Sequence, residues 1–107
     1  MTDGTPDGFD RVVHDPARLM ICTALRNCAS ADFVFLRTLT GLTAGNLSSH
    51  LSRLEQAGLV TLDRKVVGRT TRTDASLTDE GRRRVDAHWA ALERLRNDPL
   101  SAPGPAG

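Results

Sequence analysis

The spacing of apolar and polar positions divides the chain into four helical segments and one pair of strands. Apolar residues recur at helical spacing over residues 16–28, 32–40, 44–57 and 79–97. Residues 59–65 and 71–77 alternate instead at strand spacing, with Thr73, Ala75 and Leu77 on one side of the second strand. Gly68 lies between the two strands and favours a hairpin. The sequence therefore predicts a mainly α-helical fold with a small β-hairpin.

Capping residues support these boundaries. Asp15 followed by Pro16 is a strong start for the first helix, because Asp caps the free amides and Pro fits the first helical position. Thr43 and Thr78 precede the third and fourth helices as N-caps, and Gly58 is expected to end the third helix. The short second and third helices form a helix-turn-helix. With the hairpin and the last helix added, the order of elements is that of a winged helix-turn-helix.

Length and composition favour one domain. The 107 residues fit a single domain over residues 9–97, while residues 1–8 and 98–107 are rich in turn formers and are expected to be disordered. We find no signal peptide and no apolar run long enough to cross a membrane. The 2 cysteines, Cys22 and Cys28, are expected to be buried, reduced residues of the first helix. Together these features predict a cytoplasmic protein.

The third helix has a polar outer face with an uncommon composition. A helix that only faces water usually carries Lys and Glu, which favour helix formation and solubility. This face carries short or forked hydrogen-bonding groups instead, of the kind that contact bases and phosphates. A serine-rich face that is merely solvated is the alternative. His50 lies beside the buried stripe and either packs there or contacts a phosphate. The candidate DNA contacts on this face are Asn46, Ser48, Ser49, Ser52 and Arg53.

The basic residues are concentrated in the middle of the chain. The formal net charge of the whole protein is only +1, yet residues 43–73 hold five basic and two acidic residues. Lys65, Arg69 and Arg72 flank Gly68, where they could contact phosphates or a minor groove. An ordinary charged hairpin is the alternative interpretation.

The last helix carries an apolar stripe that is long for a protein of this size. Val85, Trp89, Leu92 and Leu95 follow one another at helical spacing. We expect this stripe to pack on a second copy, because most soluble oligomers are symmetric homodimers. Packing within the single chain is the alternative.

Four segments together resemble a known family: DPARLMICTAL, ADFVFLRTLTGLTAGNLSSHLSRLEQAGLV, GRTTRT and LTDEGR. They are similar to the compact winged-helix transcriptional regulators related to the MarR and ArsR groups, over about residues 9–95. The resemblance implies that the helix beginning at Thr43 reads DNA and that the Gly68 hairpin is the wing. It also implies that the first and last helices, including Leu19, form a dimer interface. The DNA contacts that it implies are Thr43, Asn46, Ser48, Ser49, His50, Arg53, Arg69 and Arg72.

The resemblance does not extend to every property of those groups. The helix over residues 32–40 contains no Cys or His, so the metal site that ArsR-type sensors carry there is not expected. The chain is also shorter than MarR proteins, whose helical ends form a ligand cleft. A small-molecule effector between the first helix and the dimer interface stays an open possibility without support from the sequence.

The predicted function is a homodimeric, sequence-specific DNA-binding regulator that represses by promoter occlusion at a pseudo-palindromic site in double-stranded DNA. A winged-helix protein-interaction module without DNA contact is the alternative. No enzyme is predicted, because the chain shows no nucleophile–base pairing, no phosphate-cradling Gly-rich loop and no metal-ligand cluster. His14, His50 and His88 are spread over different elements. No cofactor and no metal are implied.

Overall fold

The fold is a helix-turn-helix with a β-hairpin wing and a long final helix. The structure is a computed structural model and describes residues 9–98. Its elements, in chain order, are α1 (Pro16–Arg26), β1 (Ala31–Asp32), α2 (Phe33–Thr40), α3 (Ala44–Gln56), β2 (Val60–Val67), β3 (Thr70–Leu77) and α4 (Asp79–Asn97). The mainly helical winged-helix prediction is confirmed. The termini predicted to be disordered lie outside the described residues, apart from Asp98, which follows α4.

The predicted N-caps form as expected. The side chains of Asp15, Thr43 and Thr78 accept hydrogen bonds from the backbone amides of the first turns of α1, α3 and α4. Asp32 does the same for α2 and accepts from the Phe35 amide at 2.7 Å. Gly58 adopts a φ of 79° after α3, a conformation that glycine reaches without steric cost. These caps fix where each helix starts on the body of the protein.

The sheet contains one strand that the sequence pattern did not predict. Its order is β1-β3-β2, and all pairs are antiparallel. β1 has only two residues, Ala31 and Asp32, which pair with Ala75 and Asp74. A two-residue strand has too few positions to show alternation. It nevertheless ties the start of α2 to the base of the wing.

The wing is longer than predicted. The strands extend to Val67 and Thr70, so only Gly68 and Arg69 form the turn. Gly68 has a φ of 61°, while no residue other than glycine has a positive φ within residues 9–98. This pattern fits a type II′ hairpin turn, whose first central residue is glycine. Only the base of the predicted inner face is covered: Ala75 and Leu77 are buried, whereas the outer part of the wing is exposed.

The core joins all three helices of the body to the wing base and α4. The largest fully buried side chains include Ile21, Leu25, Leu36, Leu47 and Leu54. The third-helix stripe is confirmed, since Leu47, Leu51 and Leu54 are all buried. On α2, Leu36 is buried, but Leu39 is exposed. A leucine that the core leaves open on a helix face is available for another contact.

The start of the described chain packs onto the body, and α1 is shorter than predicted. Residues 11–13 form a turn, and Phe9 and Val13 are buried. α1 ends at Arg26, because Asn27 leaves the helical conformation (φ −102°, ψ 7°). Cys28 therefore lies beyond α1, half-buried, while Cys22 is fully buried. Burial raises the pKa of the Cys22 thiol to about 12, which makes it an inert core residue.

Candidate nucleic-acid interface

The outer face of α3 is fully available to a partner. Its predicted contact residues are exposed, and three leucines on the opposite side hold the helix to the core. Thr43 is partly occupied, because its hydroxyl oxygen accepts the Asn46 amide at 3.1 Å as the N-cap. The first turn of a helix also presents free amides that favour an anion. The exposed candidates on this face are Thr43, Asn46, Ser48, Ser49, Ser52 and Arg53.

His50 connects α3 to α1. Its Nδ1 atom lies 3.3 Å from the Arg18 guanidinium, and it must accept, because a guanidinium has only donors. The same guanidinium donates from Nε to the Val12 carbonyl oxygen at 2.6 Å and lies 4.0 Å from the Asp15 carboxylate. The Arg18 side chain is only 12% exposed. His50 is thus held by one ring nitrogen, and Nε2 is the nitrogen left for a DNA contact.

Two of the predicted wing contacts are neutralised by carboxylates. The Lys65 ammonium lies 3.4 Å from Asp63, and the Arg72 guanidinium donates to Asp74 at 3.0 Å. That hydrogen bond, followed by the charge of Asp74 and then of Asp32, raises the pKa of Arg72. Lys65 and Arg72 are opposite each other in the strand register and share one face of the wing. They stay predictions as DNA contacts, but their charge is already balanced within the protein.

The wing tip and the other wing face carry arginines without such partners. Arg69 occupies the second position of the turn, and Arg64 pairs with Thr73 on the face opposite Lys65. Both side chains are exposed, and neither makes an ion pair among residues 9–98. Arg64 was not singled out from the sequence. Neighbouring residues of a strand point to opposite faces, so the sequence alone could have placed Arg64 on the face opposite Lys65.

The N-terminal segment, residues 9–15, is fastened to α4 by a polar cluster. The Asp10 amide donates to Nδ1 of His88 at 3.1 Å, and Nε2 of His88 lies 3.1 Å from Nδ1 of His14. The Asp10 carboxylate also binds the Arg84 guanidinium, at 2.5 Å and 3.1 Å. Although the histidines were predicted to be scattered, the fold brings two of them together. Their separation of 74 residues hides this pairing from the sequence.

The titration properties of this cluster follow from its burial and its hydrogen bonds. Burial lowers the pKa of His88, the nearby His14 lowers it further, and Asp10 opposes both. For Asp10, burial alone raises the pKa. The hydrogen bonds and charge of Arg84, with the amides of Val13 and Val12, outweigh it and lower the pKa overall. The folded protein therefore favours an ionised Asp10 and an uncharged His88.

The residues predicted for the dimer interface differ in their exposure. Val85 has no exposed area because it packs into the core of its own chain, so it is removed from the candidate interface. Leu19 and Leu92 are half-buried, whereas Trp89 and Leu95 are 41% and 44% exposed. The Trp89 indole nitrogen donates to the Thr23 hydroxyl at 2.9 Å, which holds the ring against α1.

An open groove runs beside Trp89. It has a volume of about 520 Å³ and is lined almost entirely by apolar atoms. Met20 and Leu39 add large exposed side chains to its walls. The groove joins side chains of α1, α2 and α4, so it could not be read from any one stretch of the sequence. Its walls include Pro16, Leu19, Met20, Ala24, Leu39 and Trp89.

A comparison with known families decides the classification. A family model described as a winged helix DNA-binding domain matches residues 17–96, which include α1, the helix-turn-helix, the wing and most of α4. The chain belongs to this family. The prediction of a winged-helix transcriptional regulator is thereby confirmed, and the family and fold indicate a DNA-binding regulator rather than an enzyme.

Solved structures of regulators are similar to this winged-helix protein. A transcriptional regulator homologue from Pyrococcus horikoshii is 30% identical with a TM-score of 0.76, over 86% of this chain and 90% of that one. PcaV from Streptomyces coelicolor, solved with its natural ligand, is 26% identical with a TM-score of 0.64, over 89% of this chain and 68% of that one. An uncharacterised protein of Methanocaldococcus jannaschii is 29% identical, over 67% of this chain and 78% of its own length.

Residues 9–98 contain neither a candidate metal site nor a candidate membrane-spanning helix. No cluster of three or more His, Cys, Asp or Glu side chains in this range is arranged to hold a metal ion. None of its helices combines the length and the apolar character needed to span a bilayer.

Proposed function

We propose that this winged-helix protein is a homodimeric, sequence-specific DNA-binding repressor that occludes a promoter. In this proposal α3 enters the major groove of a pseudo-palindromic site, and the wing reaches the adjacent backbone or minor groove. The observation that carries the proposal is the α3 face. It is exposed, rich in hydrogen-bonding groups, and fixed at its first turn by the Thr43 cap.

The composition of this face indicates how it would read DNA. Serines are short, so the backbone of α3 can approach the bases closely, and Asn46 and Arg53 are the longest of the exposed contact candidates on this face. Arg pairs well with guanine or phosphate, and Asn with adenine. So few long side chains specify few bases directly. We therefore expect phosphate contacts, water and DNA shape to supply much of the specificity.

The groove beside Trp89 supports the homodimer. Trp89, Met20 and Leu39 are large apolar side chains that the single chain leaves exposed on α4, α1 and α2. Clusters of this kind on a soluble protein mark interaction sites. A second copy placed there by a twofold axis would bring a second α3 to the same DNA, which is what a pseudo-palindromic operator requires. A small effector in the same groove is the competing occupant.

Selection of binding sites from a pool of random duplexes tests the proposal. The purified protein should enrich a motif with inverted symmetry, and Arg53→Ala should relax the preference at one position in each half-site. Arg83→Ala is the matched control, because that exposed arginine lies on α4 and bonds Glu80. A pool that shows no enrichment at moderate salt would refute sequence-specific binding.

One observation favours the alternative of a protein-interaction module. Val34 and Phe35 on α2 are 72% and 51% exposed, which is high for adjacent large apolar residues. A partner protein could bind them without any DNA contact. Under this alternative, Val34→Ser would abolish regulation in cells while DNA binding stayed unchanged.

A further inference from the structure

Two sets of hydrogen bonds, joined by the backbone of the N-terminal segment, connect α4 to α3. In the first set, the Asp10 amide donates to Nδ1 of His88 at 3.1 Å. That nitrogen must therefore be unprotonated, so the proton of the neutral His88 ring is on Nε2. Nε2 then donates to Nδ1 of His14, also at 3.1 Å. Each of the two Nδ1 atoms in this chain acts as an acceptor.

The second set of hydrogen bonds reaches α3. The Val12 carbonyl, in the same N-terminal segment, accepts from Arg18 Nε at 2.6 Å. The Arg18 guanidinium in turn donates to Nδ1 of His50 on α3 at 3.3 Å. Arg18 is nearly enclosed, so its position depends on these partners. The N-terminal segment thus connects the helix that carries Trp89 to the helix that faces DNA.

We propose that the His14–His88 pair is a proton-sensitive latch that holds the N-terminal segment on α4 and, through Val12 and Arg18, supports α3. One added proton on either ring replaces an acceptor by a donor. A proton on Nδ1 of His88 would face the Asp10 amide N–H, and two donors cannot form a hydrogen bond. A proton on Nδ1 of His14 would face the His88 Nε2–H in the same way. Either proton breaks one hydrogen bond of the first set and loosens the segment.

Charged and titratable groups from every neighbouring element surround the His14–His88 pair. The N-terminal segment contributes the Asp10 carboxylate, and α4 contributes Arg84, which bonds it. From α1, the buried Cys22 thiol lies near both of these groups, and Asp15 and Arg18 flank the far side of the segment. α3 contributes His50 on Arg18. In addition, Arg53 of α3 shares a surface pocket with Asp10 and Arg84.

The burial of His88 also predicts that acid weakens the latch. Because burial lowers its pKa in the folded protein, the uncharged ring stabilises the fold above the ordinary histidine pKa. That stabilisation is lost as the pH falls through the lowered value. Mild acid should therefore weaken the latch first and the remaining fold later.

The inference rests on the proposed DNA-binding function and predicts an effect opposite to simple electrostatics. Protonated histidines add positive charge, which by itself strengthens binding to DNA. The latch predicts weaker binding in acid. Loss of one hydrogen bond corresponds to an expected loss of about two- to tenfold in affinity between about pH 8 and pH 5. The sign of the change separates the two mechanisms.

The first experiment uses the full chain without DNA. NMR should show that the Asp10 amide and the His88 ring follow the same titration, with the Arg18 Nε–H signal shifting in the same step. An Asp10 amide that follows only its own carboxylate, at lower pH, would overturn the latch. This measurement decides the inference even if DNA binding fails.

The second experiment measures affinity for a random-sequence duplex at constant low salt and two pH values. His14→Asn places an amide oxygen that does not titrate where Nδ1 of His14 accepts from His88, and the site is exposed. The acid loss should shrink in this variant. It should persist in His50→Asn, whose amide oxygen can still accept from Arg18 while the His14–His88 pair is unchanged. Equal acid loss in His14→Asn, or stronger wild-type binding in acid, would overturn the inference. No binding at either pH would instead refute the proposed function.

Discussion

Gly81 in the first turn of α4 offers a sharp test of the packing, because a single methyl group there has no room. A Cβ at this position would lie far inside contact distance of the Leu59 carbonyl oxygen and 2.9 Å from Leu77 Cδ2. The carbonyl belongs to the backbone, so no side-chain rotation can clear the space. It also accepts from the Thr78 amide at 3.0 Å and the Thr78 hydroxyl at 3.2 Å.

Two opposing effects set the magnitude for Gly81→Ala. Alanine favours the helix by about 1 kcal/mol over glycine. Overpacking a closed site costs about 1–3 kcal/mol or more, and separating α4 from Leu59 also strains the Thr78 bonds, at about 1 kcal/mol each. The sum is a net loss of about 2–4 kcal/mol. For a domain of this size, each kcal/mol lowers the melting temperature by about 4–8 °C.

Gly45 on α3 is the matched control. It is also a glycine in the first turn of a helix, but a Cβ there meets nothing within 4 Å. Gly45→Ala should therefore stabilise the free protein by about 0.4–1 kcal/mol. Urea unfolding of both variants and the wild type gives the comparison. If Gly81→Ala were as stable as Gly45→Ala, the close contact between α4 and Leu59 would be wrong.

Three further variants test the interface, the dimer and the ion pair. Arg69→Ala should weaken binding to all duplexes and reduce the salt slope by about 1, and an unchanged slope would remove the wing tip from the phosphate contacts. Trp89→Ala should shift sedimentation toward monomer. Val34→Ala, which changes an exposed apolar residue of α2 outside the groove, should not. A Trp89→Ala dimer of undiminished strength would contradict the assigned dimer face. Arg84→Met should cost about 1–3 kcal/mol at neutral pH. It should also flatten the acid loss of stability, because Asp10 stabilises the fold only while its lowered pKa keeps it ionised.

The helices could be predicted because their signals are local. Asp15, Thr43 and Thr78 act within one turn of their own helix, and the leucine stripe of α3 repeats over its whole length. α4 has the same limits in the sequence prediction and in the structure, Asp79–Asn97. The outer face of α3 could be predicted for the same reason, since the residues opposite a buried stripe must face outward.

The parts that could not be predicted depend on contacts between distant residues. His14 meets His88, and Gly81 meets Leu59, only after the chain has folded. The sequence LTDEGR marks the start of α4. Nothing in it shows that the Leu59 carbonyl lies too close to Gly81 for any side chain. Likewise, the predicted stripe on α4 assigned Val85 to a partner surface, whereas it is fully buried in the core of its own chain.

The charge pairing on the wing bears on the proposed dimer. With Lys65 and Arg72 balanced by carboxylates, the side chains of Arg53, Arg64 and Arg69 are the basic groups of α3 and the wing that lack ion pairs within residues 9–98. About three phosphate contacts would make affinity fall only about 40-fold between about 50 and 200 mM salt, and about six would make it fall roughly a thousandfold. Few contacts give a shallow slope and weak binding. A single copy would thus bind DNA weakly, and we expect the proposed dimer, with two copies on one site, to bind more tightly. A salt slope of about −5 to −6 would fit the dimer, whereas a slope near −3 would show that one copy binds alone.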